Sequence, residues 1–346
     1  MSRAIYDLIG LSAGVCFILA LKGLSHPRTA RRGNLIGALG ATIATVVVFF
    51  YASEGSSLPL NNIGWILGAM VVGLLIGVPA ARKVQMTQMP QLVALFNGVG
   101  GGAAALVAIV EYLKLGDGAT VAEVVATVFT VIVGCVSFSG SIITFMKLQE
   151  LMTTRPVIFP AGRFIIAATL VSVLGVGGWV VNSLGTTPLL ILAGLSLLFG
   201  ILFVLPVGGA DVPIVISLLN AFTGLTVAAS GYVLDSTLLI IAGTLVGASG
   251  TILTRLMAEA MGRSLFGTLF GAFTAKPQDV AAAGEERPVR SGSPDDVAIL
   301  LNYARRVVIV PGFGLAVAQA QHTVRELADL MISKGIDVAY GIHPVA

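Results

Sequence analysis

Residues 187–206 read TPLLILAGLSLLFGILFVLP, twenty consecutive positions with no charged side chain. At a helical rise of about 1.5 Å per residue such a run matches the ~30 Å hydrocarbon core of a bilayer. Its length and the absence of a two-residue alternation argue for a helix that is apolar on every side. Working outward in both directions, the same texture recurs between polar or Pro/Gly-rich breaks. Nine candidate spans result, near 5–24, 34–53, 63–81, 91–113, 122–146, 164–182, 187–206, 212–233 and 237–260. The composition agrees: 56% apolar residues, 11% charged residues and a mean hydropathy of +0.97 exclude an ordinary soluble domain. Forty-two glycines suit helices that must approach closely without a hydrophobic drive between them.

The breaks sort by charge. Arg28, Arg31 and Arg32 follow the first span, Arg82 and Lys83 the third, Lys147, Arg155 and Arg163 the fifth, and Arg255 and Arg263 close the ninth. After the even-numbered spans little basic charge appears beyond Lys114. The positive-inside rule then puts the N-terminus outside and the C-terminal tail in the cytoplasm of a multi-pass inner-membrane protein. The first span has no small-residue cleavage site after it and reads as a retained span. Cys16 and Cys135 fall inside apolar runs and read as small core residues, with no metal site expected. Trp65 and Trp179 sit near span ends, where indoles favour the interface, and Glu111 and Glu123 border an outer loop and read as solvated.

Composition changes after residue 264. The chain divides on this reading into a transmembrane helical domain (1–264), a linker rich in Pro, Gly, Ser, Glu and Arg (265–297), and the beginning of a Rossmann-like α/β fold (298–346). In the last part a short helix is expected over 295–303 and a buried strand over 305–310. Gly312, Phe313, Gly314, Leu315, Ala316 and Val317 then form a G-x-G-x-x-V turn, a helix follows from Ala316 to Lys334 capped by Gly335, and a second strand covers 337–342. Strand, glycine turn, helix and strand in succession make a βαβ unit, whose helix N-terminus is suited to a dinucleotide pyrophosphate. The acid expected on an adenine ribose at the end of the second strand is absent, since Tyr340, Gly341, Ile342 and His343 stand there, which favours NADP over NAD. Two strands bury too little to stand alone, so the domain is expected to continue beyond Ala346.

The stretch from Pro311 to Gln321, together with Tyr340 to Ala346, resembles the start of the NADP(H)-binding domain of the β subunit of proton-translocating NAD(P) transhydrogenases. Residues 86–94 (MTQMPQLVA), 208–213 (GGADVP), 217–224 (SLLNAFTG) and 243–250 (GTLVGASG) resemble its membrane part. The resemblance implies hydride transfer between NAD(H) on a partner α subunit, which carries the NAD-binding domain and further membrane helices, and NADP(H) held here. Proton passage through the helices drives it, and the unit is expected to act as a dimer of the αβ pair. Two nicotinamide rings held face to face need no protein acid or base, so no catalytic side chain is expected in this chain.

Proton passage requires polar groups at depth, and the three histidines, His26, His322 and His343, lie outside the spans. Where some members of the resembled family carry a membrane histidine this chain has Asn97; others place it on the partner. The residues expected to carry protons or coupling are Asn97, Asn220, Thr223, Ser139 with its neighbours Ser137 and Ser141, and Ser249. Asp211, at the start of the eighth span, matches an acid of the resembled family and is expected to couple nucleotide occupancy to the channel mouth, or else to act as a helix N-cap before Pro213. Arg263 is expected at the hinge to the linker. Two rival readings use the same features: an ion or solute transporter with a redox-sensing nucleotide-binding tail, and an assembly module that binds its partner subunit alone.

Overall fold

The computed structural model describes residues 3–50, 60–85, 88–114, 119–209, 211–262, 264, 267, 292–312, 314–315 and 318–342. Nine long helices lie among them: α1 (Arg3–Leu24), α2 (Pro27–Val48), α3 (Leu60–Lys83), α4 (Met89–Lys114), α5 (Val121–Leu148), α6 (Gly162–Ser183), α7 (Thr186–Val204), α8 (Val212–Val233) and α9 (Thr237–Ala260). Eight of them are long and apolar enough to cross a membrane. The exception is α2, whose first two turns hold Arg28, Arg31 and Arg32.

That helix corrects the expected span 34–53. It begins at Pro27 because proline presets the backbone of a first helical position and arginine is a good helix former, so the chain coils before it turns apolar. Thr29 strengthens the start by donating its hydroxyl to the Gly23 carbonyl at 2.6 Å. The three arginines therefore ride on a helix, whereas the sequence placed them in a loop.

The helix at the centre is α5, half of whose most apolar stretch is buried. It packs against α4, α6, α7 and α8, while α8 pairs with α9 and α1 bridges α2 and α9. One apolar cluster joins Tyr112, Val124, Val128, Val180, Leu189 and Leu192. A second, toward the other end of α5, joins Ile143, Val204, Val207, Val212, Val215 and Leu219. Close approach between helices depends on glycine at particular places. A Cβ on Gly134 of α5 would lie 2.8 Å from the Gly101 carbonyl oxygen of α4, and one on Gly224 of α8 would lie 2.6 Å from the Gly247 nitrogen of α9.

The C-terminal part holds α10 (Pro294–Asn302), β1 (Arg306–Ile309), α11 (Gln321–Ser333) and β2 (Asp337–Tyr340). Ser293 and Asp296 form a reciprocal capping box at the start of α10. The strands pair in parallel, Arg306 opposite Asp337 through Ile309 opposite Tyr340, as a two-stranded sheet. The expected helix from Ala316 is shorter than anticipated: α11 starts at Gln321, because Gln319 takes a left-handed backbone (φ 52°) that ends any helical continuity from the glycine turn. Gly335 (φ 83°) closes α11, with the Ile336 amide bonded back to the Met331 carbonyl at 3.1 Å.

Candidate functional site

At mid-bundle, α4, α5 and α8 meet around a set of buried polar side chains. Asn97 of α4 is carried inward because Gly98 and Gly101 beside it let α4 lie directly on α5. Its Nδ2 donates to Ser137 Oγ at 3.2 Å and to Ser141 Oγ at 2.9 Å. Ser137 Oγ lies 2.6 Å from Thr223 Oγ1 of α8 and also bonds the Leu219 carbonyl oxygen at 3.2 Å. Thr223 reaches that same carbonyl at 3.0 Å. One polar bridge thus crosses three helices. Among the described residues the buried Oδ1 of Asn97 meets no hydrogen-bond donor.

The bridge belongs to a longer feature. On α5, Thr127, Thr130, Gly134, Ser137, Ser141 and Thr144 recur at alternating steps of three and four and are all buried. That spacing puts them on one stripe, which covers about 25 Å at 1.5 Å per residue, close to the thickness of the hydrocarbon core. Several of the hydroxyls donate to a carbonyl one turn back on their own helix, Thr127 to Glu123, Thr130 to Ala126 and Thr144 to Gly140, which satisfies their protons and leaves their oxygens able to accept. The sequence reading named only the serines. The three-four recurrence of Thr, Ser and Gly on one helix was the signal that would have extended the set.

Other expected residues stand apart from the bridge. Ser139 faces α7, its hydroxyl bonded to the Cys135 carbonyl at 3.0 Å and tucked against Gly200. Ser249 bonds back to Val246 on its own helix. Asn220 is exposed on α8, one turn before Thr223, so it faces whatever lies outside the described helices. Asp211 occupies the N-cap position of α8 but its side chain does not cap that helix; its backbone carbonyl accepts from Ile214 at 3.1 Å. Arg263, Phe313, Ala316 and Val317, with most of the linker, lie outside the described residues.

Lys147 was expected as a loop cation and is instead in the last turn of α5, wholly buried. Its ammonium donates to the carbonyl oxygens of Val204, Leu205 and Val207 at 3.3, 2.5 and 2.7 Å. These are carbonyls left over where α7 ends, which a cation satisfies well. The same connection is tied to the α5–α6 loop, since the Gly209 amide donates to the Thr154 carbonyl and the Val157 amide to the Leu205 carbonyl. The segment leading into Asp211 is therefore held from two sides.

In the tail, the glycine turn directly follows the C-terminal end of β1, the edge at which parallel α/β units receive nucleotides. A Cβ on Gly312 or Gly314 would meet nothing within 4 Å, so the backbone of the turn is open to close approach. Gly312 and Gly314 thus leave the room that a pyrophosphate would need.

A family profile described as the NAD(P) transhydrogenase beta subunit matches residues 6–346. The chain belongs to that family. The curated "NAD(P) transhydrogenase subunit beta" of Rhodospirillum rubrum is 41% identical over 343 residues, covering 96% of this chain and 73% of that protein. A second sequence of the same description, from a defined strain of that species, matches with the same figures. The match runs through bundle and tail together, so the transporter with an unrelated sensing tail is not favoured. Membership implies an α subunit as partner and a transhydrogenase role as one subunit of that enzyme.

Proposed function

We propose that this chain is the NADP(H)-binding, proton-translocating subunit of an NAD(P) transhydrogenase, passing hydride between NADP(H) held here and NAD(H) on the α subunit. The observation that carries the proton role is the Asn97–Ser137–Thr223 bridge, a buried polar connection between three helices whose Asn97 Oδ1 meets no donor among the described residues. A water or a side chain of the α subunit supplies it. Exposed Asn220, one turn from Thr223, marks the face on which that subunit's helices close the bundle. Asp211, at the start of α8, and Arg263, which follows α9 in the sequence, transmit nucleotide occupancy to the bundle, while Ser139 and Ser249 pack the surrounding helices.

In this reading the chain has a transmembrane domain over 1–264 with nine spans, α2 completing the set, a linker over 265–297, and a Rossmann-like NADP(H)-binding unit from 298. Gly312 to Val317 hold the pyrophosphate, with Gly312 and Gly314 giving the backbone room. NADP(H), when bound, accepts or supplies the hydride; this chain's residues bind and orient it and exclude water. The basic breaks support an N-terminus outside and a cytoplasmic tail, the enzyme is of the Re/Si-specific, proton-translocating type, and αβ units pair into a dimer.

The test is reduction of an NAD analogue by NADPH in liposomes containing the chain with its α subunit, with internal pH recorded. Hydride transfer accompanied by a pH change that Asn97→Leu removes supports the reading. Wild-type complex that transfers no hydride overturns it.

A further inference from the structure

At the end of the bundle opposite Asp211, where α4 ends, α5 begins and α8 ends, a cavity of about 10 Å³ is lined by Val107, Ala108, Glu111, Thr127, Thr130, Ser230, Val233 and Leu234. That volume is close to the room one water molecule needs. Its chemistry is uneven in an informative way. Thr127 and Thr130 spend their protons on the carbonyls of Glu123 and Ala126, so both present oxygen lone pairs to the space. Ser230 is more than nine-tenths buried and its Oγ has no hydrogen-bond partner among the described residues. Glu111 lines the cavity with its side chain one-quarter exposed, and among the described residues its ion pair is with Lys114 on the same helix, at 2.7 Å and itself well exposed. From α5 and α8 the cavity receives only hydroxyls and the apolar Val233 and Leu234. A carboxylate and three hydroxyl oxygens gathered around a water-sized space are acceptors waiting for a donor-rich guest.

Thr127 and Thr130 are also the first two members of the buried stripe on α5 that continues through Gly134 to Ser137 and the Asn97 bridge. Between the cavity and the bridge α8 adds Thr226, fully buried, whose hydroxyl bonds the Thr223 carbonyl at 2.7 Å.

We propose that Glu111, with the cavity of Thr127, Thr130 and Ser230, is the port through which protons exchange between the aqueous phase on that side and the stripe on α5. The guest is a water or hydronium ion. The step moves one proton and no electrons: an O–H bond of the hydronium breaks as one forms on the Glu111 carboxylate, a water leaves, and the proton returns to a water in the cavity as the carboxylate is restored. This assignment rests on the coupled reading of the bundle given above.

The experiment uses the complete complex with its α subunit in liposomes, reading hydride transfer and the internal pH together. A silent wild type brings down the transhydrogenase reading and this one with it, before any variant is compared. Given a coupled wild type, Glu111→Gln is expected to lower the coupled rate at least about tenfold, a floor below the roughly 10²–10⁴-fold that positioned proton carriers contribute. Glu111→Asp is expected to retain more of it, and formate added on the side facing Glu111 to restore Glu111→Ala, with wild type in formate as the control. Ser230→Ala, which breaks no hydrogen bond, is expected to keep the thermal stability of the complex while slowing transport. Lys114→Gln, which removes only an exposed ion pair, is expected to keep the rate. Wild-type rates in Glu111→Gln overturn the port. So does a loss that neither Asp nor formate restores, which leaves Glu111 a structural residue, and so does a dependence on sodium at fixed pH, which assigns the four oxygens to an alkali cation.

Discussion

Asn97 on α4 and Ser141 on α5 are joined at 2.9 Å, forty-four positions apart in the chain, through an amide and a hydroxyl that are both buried. Each would be a liability alone in an apolar interior, and the bond between them lowers the cost of burying the Asn97 Nδ2 and the Ser141 oxygen. The pair also fixes register, because a shift of α4 by one residue along α5 would bring Phe96 or Gly98 to the place of the amide.

Ser137→Ala should lower the unfolding stability of the detergent-solubilised complex by about 1–2 kcal/mol, since it strips a partner from Asn97 and from Thr223 at once. Ser139→Ala, whose hydroxyl bonds only to its own helix, should change it by less than about 0.5 kcal/mol. Equal effects of the two would remove the bridge from the account.

Lys147→Met should destabilise by about 1–3 kcal/mol, because the Val207 carbonyl loses its donor inside protein and the Val204 and Leu205 carbonyls are left with only the amides of Val207 and Val157. Hydrogen exchange should rise first at the amides of Gly209 and Val157, which cross-tie the two loops that Lys147 anchors. Lys147→Arg should not restore protection, because a planar fork does not reproduce three donors around one nitrogen.

Gly134→Val should impair folding more than Gly175→Val. A Cβ at 134 is 2.8 Å from the Gly101 carbonyl and must part α4 from α5, whereas one at 175 meets nothing within 4 Å. The yield of folded protein from membranes distinguishes them, and a well-folded Gly134→Val would contradict the close approach.

The cap of α10 responds to acid. The backbone amide of Ser293, and then its hydroxyl, donate to Asp296 and hold its carboxyl below the usual aspartate range. A carboxyl depressed in the folded state contributes stability that is present above its unfolded value, near 4, and is lost as pH falls through the lower folded value. Amide exchange at Val297, which bonds the Ser293 carbonyl, should therefore accelerate only below about pH 4, and Asp296→Asn should remove that dependence.

The long helices were legible because the bilayer imposes one strong rule, about twenty apolar residues per crossing, and α8 and α9 begin and end where hydropathy put them. The start of α2 was not, since arginine is polar to a hydropathy count yet comfortable in a helix. The polar candidates were legible as types but not as partners. Which face of α8 turns inward depends on where α5 and α9 lie, and hydropathy is silent about facing when every face is apolar; hence Thr223 joins the bridge and Asn220 does not. Lys147 misled for a related reason: a cation at a span end reads as a solvated anchor unless the neighbouring helix is known to end beside it.

Ser137 and Thr223 share two hydroxyl protons among three oxygens, counting the Leu219 carbonyl that both can reach. Two arrangements satisfy all of them: Ser137 gives to Thr223 and Thr223 to Leu219, or Thr223 gives to Ser137 and Ser137 to Leu219. They differ only in which way two O–H bonds point. A proton passed from Ser137 to Thr223 along their shared hydrogen bond, as the proposed route requires, would leave Thr223 donating to Ser137, and the same hand-over could not be repeated until both hydroxyls had turned back. On the proposed proton route these two small side chains between α5 and α8 would thus form a turnstile that must be reset after each passage.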